Sequence, residues 1–328
     1  MKIHKFLLAS MIGMSLVATV APAQDNKKAD APKAEAKKDG AAEGKKPDEP
    51  KKDAKAPVRD YDVVYTKTGD VELKLDIVRP SGEGESLPTV FVIHGGGWQG
   101  GNKESNRRFL DQLASKGFVA ISPQYRLVPK AIFPAQVHEL KAAVRWAKAN
   151  AGKYRIDPER VGAMGFSAGG HLALMLGVTG PEDGLEGNLP PSGPNTKIRA
   201  VVNYFGPTDL DGSDIPDLSK PLVEKFLGGA LKDRAKEASQ ASPLDFVSEG
   251  DAPILTFQGT KDPLVPHTQA YKLADAMTVK NVRGKVALYV GDGHGWEGIE
   301  NTLAEAADFL MENLKKNEVQ EGRRRRSQ

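Results

Sequence analysis

The 328-residue chain predicts an α/β fold, a doubly wound and mostly parallel sheet with a small lid-like insertion. Three observations carry that expectation. From residue 88 onward, short continuous apolar runs alternate with helix-period segments, the signature of strand–helix–strand units. The runs at 89–93 and 118–121 carry no charged residue, as expected of strands buried on both faces. Finally, Gly165-Phe166-Ser167-Ala168-Gly169-Gly170 stands between an apolar run at 160–164 and good helix formers at 168–176. It fits a sharp strand-to-helix elbow that exposes a serine hydroxyl, with glycines where side chains would clash.

In chain order, residues 61–66 and 71–78 read as two early strands, joined in a hairpin at Thr68-Gly69-Asp70. The strand at 89–93 runs into His94-Gly95-Gly96-Gly97-Trp98, whose glycines allow backbone N–H groups to turn toward a ligand. Residues 106–116 predict a helix ending at Gly117, then a strand at 118–121. Pro134 opens a helix over 135–150 with Val137, Leu140, Val144 and Ala147 on one face. Asp157-Pro158-Glu159 is expected to turn the chain into the strand feeding Ser167. Further strands are expected at 198–205, 252–257 and 285–290. Residues 206–249, broken by Pro207, Pro216, Pro221 and Pro243, read as the lid-like insertion, and 180–196 as a Pro/Gly-rich loop.

A serine hydroxyl attacks well only when a base takes its proton and an acid orients that base. His294, in Gly291-Asp292-Gly293-His294-Gly295-Trp296 straight after the last expected strand, is the candidate base. His267 begins an expected helix and follows the Asp262 loop too closely to serve. Asp262, in Gly259-Thr260-Lys261-Asp262-Pro263 just past a strand, leads as the acid; Asp209 and Asp292 are the alternatives. The N–H groups of Gly95, Gly96 and Ala168 are the expected oxyanion donors. His94 is expected to brace its loop, His171 to pack below the serine, and His138 to lie on a helix surface. No His/Asp/Glu cluster has metal-ligand spacing and no dinucleotide or phosphate-loop fingerprint occurs, so the chemistry is expected to need no metal or cofactor.

Composition bounds the rest. The formal charge of +3 implies no nucleic-acid partner. Zero cysteines exclude disulfides, thiolate metal sites and cysteine catalysis. A basic start, an apolar run at 6–20 and Ala21-Pro22-Ala23 have the order of a secretory signal over 1–23, so a secreted or periplasmic protein is expected, with no membrane span after cleavage. Residues 24–57, almost entirely Lys, Ala, Asp, Glu, Gly and Pro, read as a disordered linker. The catalytic domain is then expected over 58–318 and a basic tail, with Arg323 to Arg326, over 319–328.

The motifs His94-Gly95-Gly96-Gly97-Trp98, Gly165-Phe166-Ser167-Ala168-Gly169-Gly170-His171, Asp262-Pro263-Leu264-Val265-Pro266 and Gly293-His294-Gly295-Trp296 together resemble the α/β-hydrolase superfamily. The branch they resemble holds bacterial feruloyl and acetyl-xylan esterase-like proteins, hormone-sensitive-lipase-like carboxylesterases and kynurenine formamidases. The resemblance implies a serine hydrolase that cleaves carboxylic esters, of short acyl or polysaccharide-linked acetyl or feruloyl type, through an acyl-enzyme. Little sequence separates Pro57 from the first strand, where hormone-sensitive-lipase-like members carry a longer helical cap. An amidase, formamidase or peptidase with the same three residues, or a silent hydrolase scaffold used for binding, are the alternatives.

Overall fold

A computed structural model describes residues 56–211 and 214–316, so the expected signal, the linker but for its last two residues, and the basic tail lie outside the described residues. Eight strands form one sheet in the order β1-β2-β4-β3-β5-β6-β7-β8. They are β1 (Val58–Thr68), β2 (Val71–Arg79), β3 (Leu87–Ile93), β4 (Val119–Pro123), β5 (Ile156–Phe166), β6 (Val201–Tyr204), β7 (Ile254–Gly259) and β8 (Gly284–Tyr289). The pairs β1/β2 and β2/β4 are antiparallel; every pairing from β4 through β3 to β8 is parallel. The hairpin turns at Gly69, whose φ of 57° is open to glycine at no steric cost.

Among the described residues eight α-helices complete the fold: α1 (Arg107–Ser115), α2 (Ala135–Ala149), α3 (Ala151–Tyr154), α4 (Ala168–Val178), α5 (Lys220–Leu227), α6 (Ala235–Gln240), α7 (His267–Val279) and α8 (Leu303–Asn313). Leu110 and Leu113 of α1 and Leu303 and Leu310 of α8 pack with Val90, Val92 and Val202 on one face of the sheet. On the other face, Val137, Leu140 and Val144 of α2, Leu172 and Leu176 of α4 and Leu273 of α7 pack with Phe91, Ile93 and Ala163. β3, β4, β6 and β7 are buried almost throughout because both faces are covered. This is the doubly wound α/β-hydrolase architecture.

Two expectations change. Asp157, Pro158 and Glu159 lie inside β5 rather than in a turn before it. Leu87 pairs with Ile156 and Thr89 with Val161, and residues 157–160 bulge between them, closed by the Asp157 carboxylate, which accepts from the Glu159 N–H at 3.0 Å and from Arg160 at 2.7 Å. The larger change concerns α2, which is buried on nearly every side, including Glu139, Lys141, Arg145 and Lys148. The region read as the lid-like insertion carries α5 and α6 with short 3₁₀ turns. The 180–196 loop lies over α2, and Glu186 receives Lys141 at 2.7 Å and Arg145 at 3.1 Å. His138, expected on a helix surface, is therefore half-buried beneath Gly187.

Candidate active site

Ser167 stands at the corner between β5 and α4, with φ 54° and ψ −122°. That backbone is strained for a residue with a Cβ and costs about 1–3 kcal/mol. The corner is possible because its neighbours have no side chains. A Cβ on Gly165 would stand 2.1 Å from the Gly169 carbonyl oxygen, and one on Gly169 would stand 2.2 Å from that of Ile93. The Ser167 N–H donates to the Tyr204 carbonyl at 2.8 Å, locking the corner onto β6.

The carboxyl ends of β7 and β8 bring in the other two groups. Ser167 Oγ lies 2.7 Å from His294 Nε2, and His294 Nδ1 lies 2.8 Å from Asp262 Oδ2. A carboxylate only accepts, so Nδ1 carries the proton and Nε2 is free to accept from the serine. Asp262 has a fully buried side chain, and its Oδ1 accepts from the Leu264 and Val265 N–H groups at 2.8 and 2.9 Å. Gln258, on β7, donates to Asp262 Oδ2 at 3.2 Å and to the Val265 carbonyl at 2.9 Å. Nothing in the sequence marked Gln258, since a glutamine inside an apolar strand reads only as an interruption of it. The Phe205 ring meets His294 edge to face at 4.7 Å and restricts its rotation. Neither rival acid takes this place: Asp209 is paired with Lys272 at 2.8 Å, and Asp292 contributes its carbonyl, which accepts from the Lys261 N–H at 2.8 Å. His267 begins α7 against Tyr271, as its sequence position implies.

The glycine loop after β3 closes one side. Tyr125 Oη donates to the His94 carbonyl at 2.8 Å, and the two rings stack at 4.3 Å. His94 Nδ1 lies 2.9 Å from the Gly95 carbonyl, and burial holds this histidine below its ordinary value. Gly96, Gly97, Ser167, Ala168 and His294 share a cavity of about 350 Å³, walled on its far side by Ile215, Leu222 and Val223 of the insertion. Gly95, expected beside Gly96, does not line this cavity. It packs against the elbow, where a Cβ would stand 2.6 Å from the Phe166 carbonyl oxygen, and Gly97 takes the position on the wall.

Trp98 and His171 form a brace that sequence reasoning only half found. The Trp98 indole donates to His171 Nδ1 at 3.3 Å, and His171 Nε2 donates to the Ala241 carbonyl at 2.7 Å. Trp98 also stacks on Phe226 of α5 at 4.3 Å. The glycine loop, α4 and the insertion thus share one buried imidazole, and burial lowers its pKa to about 4. Among the described residues no His/Cys/Asp/Glu group could hold a metal ion, and no helix is long and apolar enough to cross a membrane.

A sequence model of the family described as BD-FAE matches residues 75–277. Esterase LipC of Mycobacterium tuberculosis is 29% identical over 64% of this chain and 53% of its own length. The chain spans about half the length of the curated relatives it matches. Among solved structures, a bifunctional GH43-CE protein of Bacteroides eggerthii superposes with a TM-score of 0.71 and 31% identity, covering 78% of this chain and 38% of that one. The propionate-bound esterase Est2 of the planctomycete Thermogutta terrifontis superposes at 0.66 with 27% identity, covering 78% of this chain and 94% of that one.

Proposed function

The chain belongs to the BD-FAE family, and from that premise we propose that it is a serine esterase acting on carboxylic esters through an acyl-enzyme. One observation carries the reading: an unbroken hydrogen-bond chain from Ser167 Oγ through His294 to a buried Asp262, at 2.7 and 2.8 Å. The names of the relatives point the same way, since LipC and Est2 are both called esterases.

In the proposed reaction Ser167 Oγ attacks the acyl carbonyl as its proton passes to His294 Nε2. Asp262 holds the imidazole in the productive tautomer and stabilises the imidazolium that forms. The developing oxyanion is received by the N–H groups of Ala168 and of the glycine loop at Gly96 and Gly97, in place of the Gly95 and Gly96 pair read from sequence. His294 then protonates the departing alcohol, and water, activated by the same histidine, releases the acid. No metal or cofactor enters these steps. The mostly aliphatic wall of the 350 Å³ cavity suits a short acyl chain. The stretch at 1–23 supports export, and N-terminal sequencing of the mature protein, expected to begin at Gln24, tests it.

The test of the reaction is a hydrolysis panel on the protein lacking residues 1–23, with Ser167→Ala as control. It spans p-nitrophenyl acetate to decanoate, acetylated xylan, methyl ferulate, N-formylkynurenine and an amino-acid anilide. Turnover of short-acyl esters that disappears in the variant is the expected result. Turnover of the anilide or formamide alone would move the reading to amide bonds. Silence on every substrate, with no fluorophosphonate labelling of Ser167, would leave a binding protein on this scaffold.

A further inference from the structure

The insertion contributes one helix, α5, to the wall of the Ser167 cavity. Its apolar residues Leu222, Val223, Phe226 and Leu227 recur at the spacing of a single helical stripe. Val223, Phe226 and Leu227 are buried, whereas Leu222 is only half-buried. Leu222 and Phe226 stand four residues apart, neighbours on the same helix face, and both meet the glycine loop. Phe226 stacks on Trp98 at 4.3 Å, and a Cβ on Gly97 would stand 3.2 and 3.4 Å from the two Leu222 methyl groups. The stripe thus seats α5 on the loop, with the Leu222 isopropyl group against one of the proposed oxyanion donors. An acyl chain whose carbonyl oxygen is held there passes Leu222 with its first carbons.

The polar side chains of the same wall are already engaged. Gln269, buried on α7, accepts from the Thr208 and Asp209 N–H groups at 2.7 and 3.2 Å through Oε1. Its Nε2 donates to the Asp209 and Asp214 carbonyls at 3.1 and 3.4 Å. Ser219 Oγ donates to the Leu264 carbonyl at 2.7 Å, and the Trp98 indole donates to His171 at 3.3 Å. None of the three keeps a free N–H or O–H. Apart from these, from Ser167 and His294 and from the exposed Gln99, every residue on the wall is glycine, proline, aliphatic or aromatic. A polar substituent on the acyl chain would give up its water here with no side-chain donor to replace it.

We propose that the cavity selects an unsubstituted aliphatic acyl group and that Leu222 is the residue that sets its length. The proposal rests on the esterase reading for its use in turnover, but the cavity's preference for an apolar chain does not. Gln269 and Ser219 shape the wall while presenting it as apolar, and Leu222 narrows the passage beside Gly97. Acyl specificity then resides in one side chain of the insertion.

Two measurements test this. In the first, wild-type protein, Leu222→Ala and Leu222→Phe are compared on p-nitrophenyl acetate, butyrate and octanoate, and on ethyl butyrate against ethyl 3-hydroxybutyrate. The octanoate-to-butyrate ratio of kcat/KM should rise about tenfold in Leu222→Ala, and the butyrate-to-acetate ratio should fall about tenfold in Leu222→Phe, because one methylene of fit in an apolar pocket is worth about 10- to 200-fold. Wild-type protein should prefer ethyl butyrate to its hydroxylated counterpart by about 10- to 100-fold. Ratios that stay within about twofold of wild type in both variants, or equal turnover of the two ethyl esters, would overturn the assignment. The second measurement needs no turnover: Ser167→Ala protein, with and without Leu222→Phe, is followed by saturation-transfer NMR with butyrate and with 3-hydroxybutyrate. Butyrate should bind about tenfold tighter than the hydroxy acid, and Leu222→Phe should weaken it about tenfold. That pattern, with a wild-type protein silent on every ester, would sink the esterase reading and leave the cavity assignment standing. Absent butyrate binding, or equal binding of the two acids, would overturn the cavity assignment itself.

Discussion

Ser167 is held at φ 54° at a cost its neighbours must carry, and that cost separates function from stability at a single position. Ser167→Ala keeps the Cβ and hence the strain, whereas Ser167→Gly removes both. Both variants should lose about four to six orders of magnitude in kcat. Ser167→Gly should also unfold at higher denaturant than Ser167→Ala, by about 1 kcal/mol in a urea melt, because glycine adopts this backbone freely. A lower midpoint for the glycine variant would remove strain from the account. Asp262→Asn should lower kcat about 10³- to 10⁴-fold with the fold intact, since an amide facing Nδ1 favours the unproductive tautomer. Gln258→Ala leaves one Asp262 oxygen with a single partner, and a smaller loss in kcat, about tenfold, is expected with KM unchanged.

At the scale of elements, the elbow and α2 show opposite degrees of legibility. Gly-x-Ser-x-Gly between an apolar run and helix formers is a local rule, so the corner between β5 and α4 could be placed from residues that touch one another. Gly169→Ala should prevent proper folding or cost several kcal/mol by denaturant melt, because its Cβ would enter the Ile93 carbonyl at 2.2 Å. The periodicity of α2 correctly gave its apolar face, but not that its opposite face is also covered. Lys141 and Arg145 look like solvated positions until the 180–196 loop, some 40 residues on, delivers Glu186 to them. Removing that carboxylate leaves two buried cations without a counter-charge, held only by backbone carbonyls, Lys141 by that of Thr179 and Arg145 by those of Pro191 and Leu189. Glu186→Ala should cost about 2–4 kcal/mol by thermal or urea melt, well above the range of a surface ion pair. A change below about 0.5 kcal/mol would mean that the loop is not clamped.

For the molecule as a whole, acid stability follows from the brace between Trp98, His171 and Ala241. His171 is fully buried and its pKa is lowered to about 4, so the unfolded chain binds the proton more readily than the folded one. Its contribution to stability is complete above about pH 6.5 and declines as pH falls toward 4. Near pH 4 it amounts to a loss of about 3 kcal/mol, taking 1.36 kcal/mol for each pH unit. Urea midpoints should fall across that window, and less steeply in His171→Gln, which cannot titrate. Identical slopes would show that other groups dominate. Because the same imidazole joins the glycine loop to the insertion, the Ser167 cavity should open before global unfolding; fluorophosphonate labelling and tryptophan emission followed together between pH 6.5 and 4 would reveal this.

The sequence by itself determined what depends on neighbours along the chain: the buried strand runs, the glycine loop after β3, the strained elbow and the doubly wound order. The tertiary structure decided what depends on closure across long separations. Ser167 and His294 lie 127 residues apart, and only the side-by-side strands β5, β6, β7 and β8 bring them to 2.7 Å. Among three aspartates of similar local context, the structure selects Asp262 for contact with His294, because Lys272 already holds Asp209 and Asp292 turns its carbonyl to Lys261. The shift from Gly95 to Gly97 on the cavity wall has the same origin. A pattern records which residue types follow one another, whereas a wall is made by residues that meet only after the chain has folded.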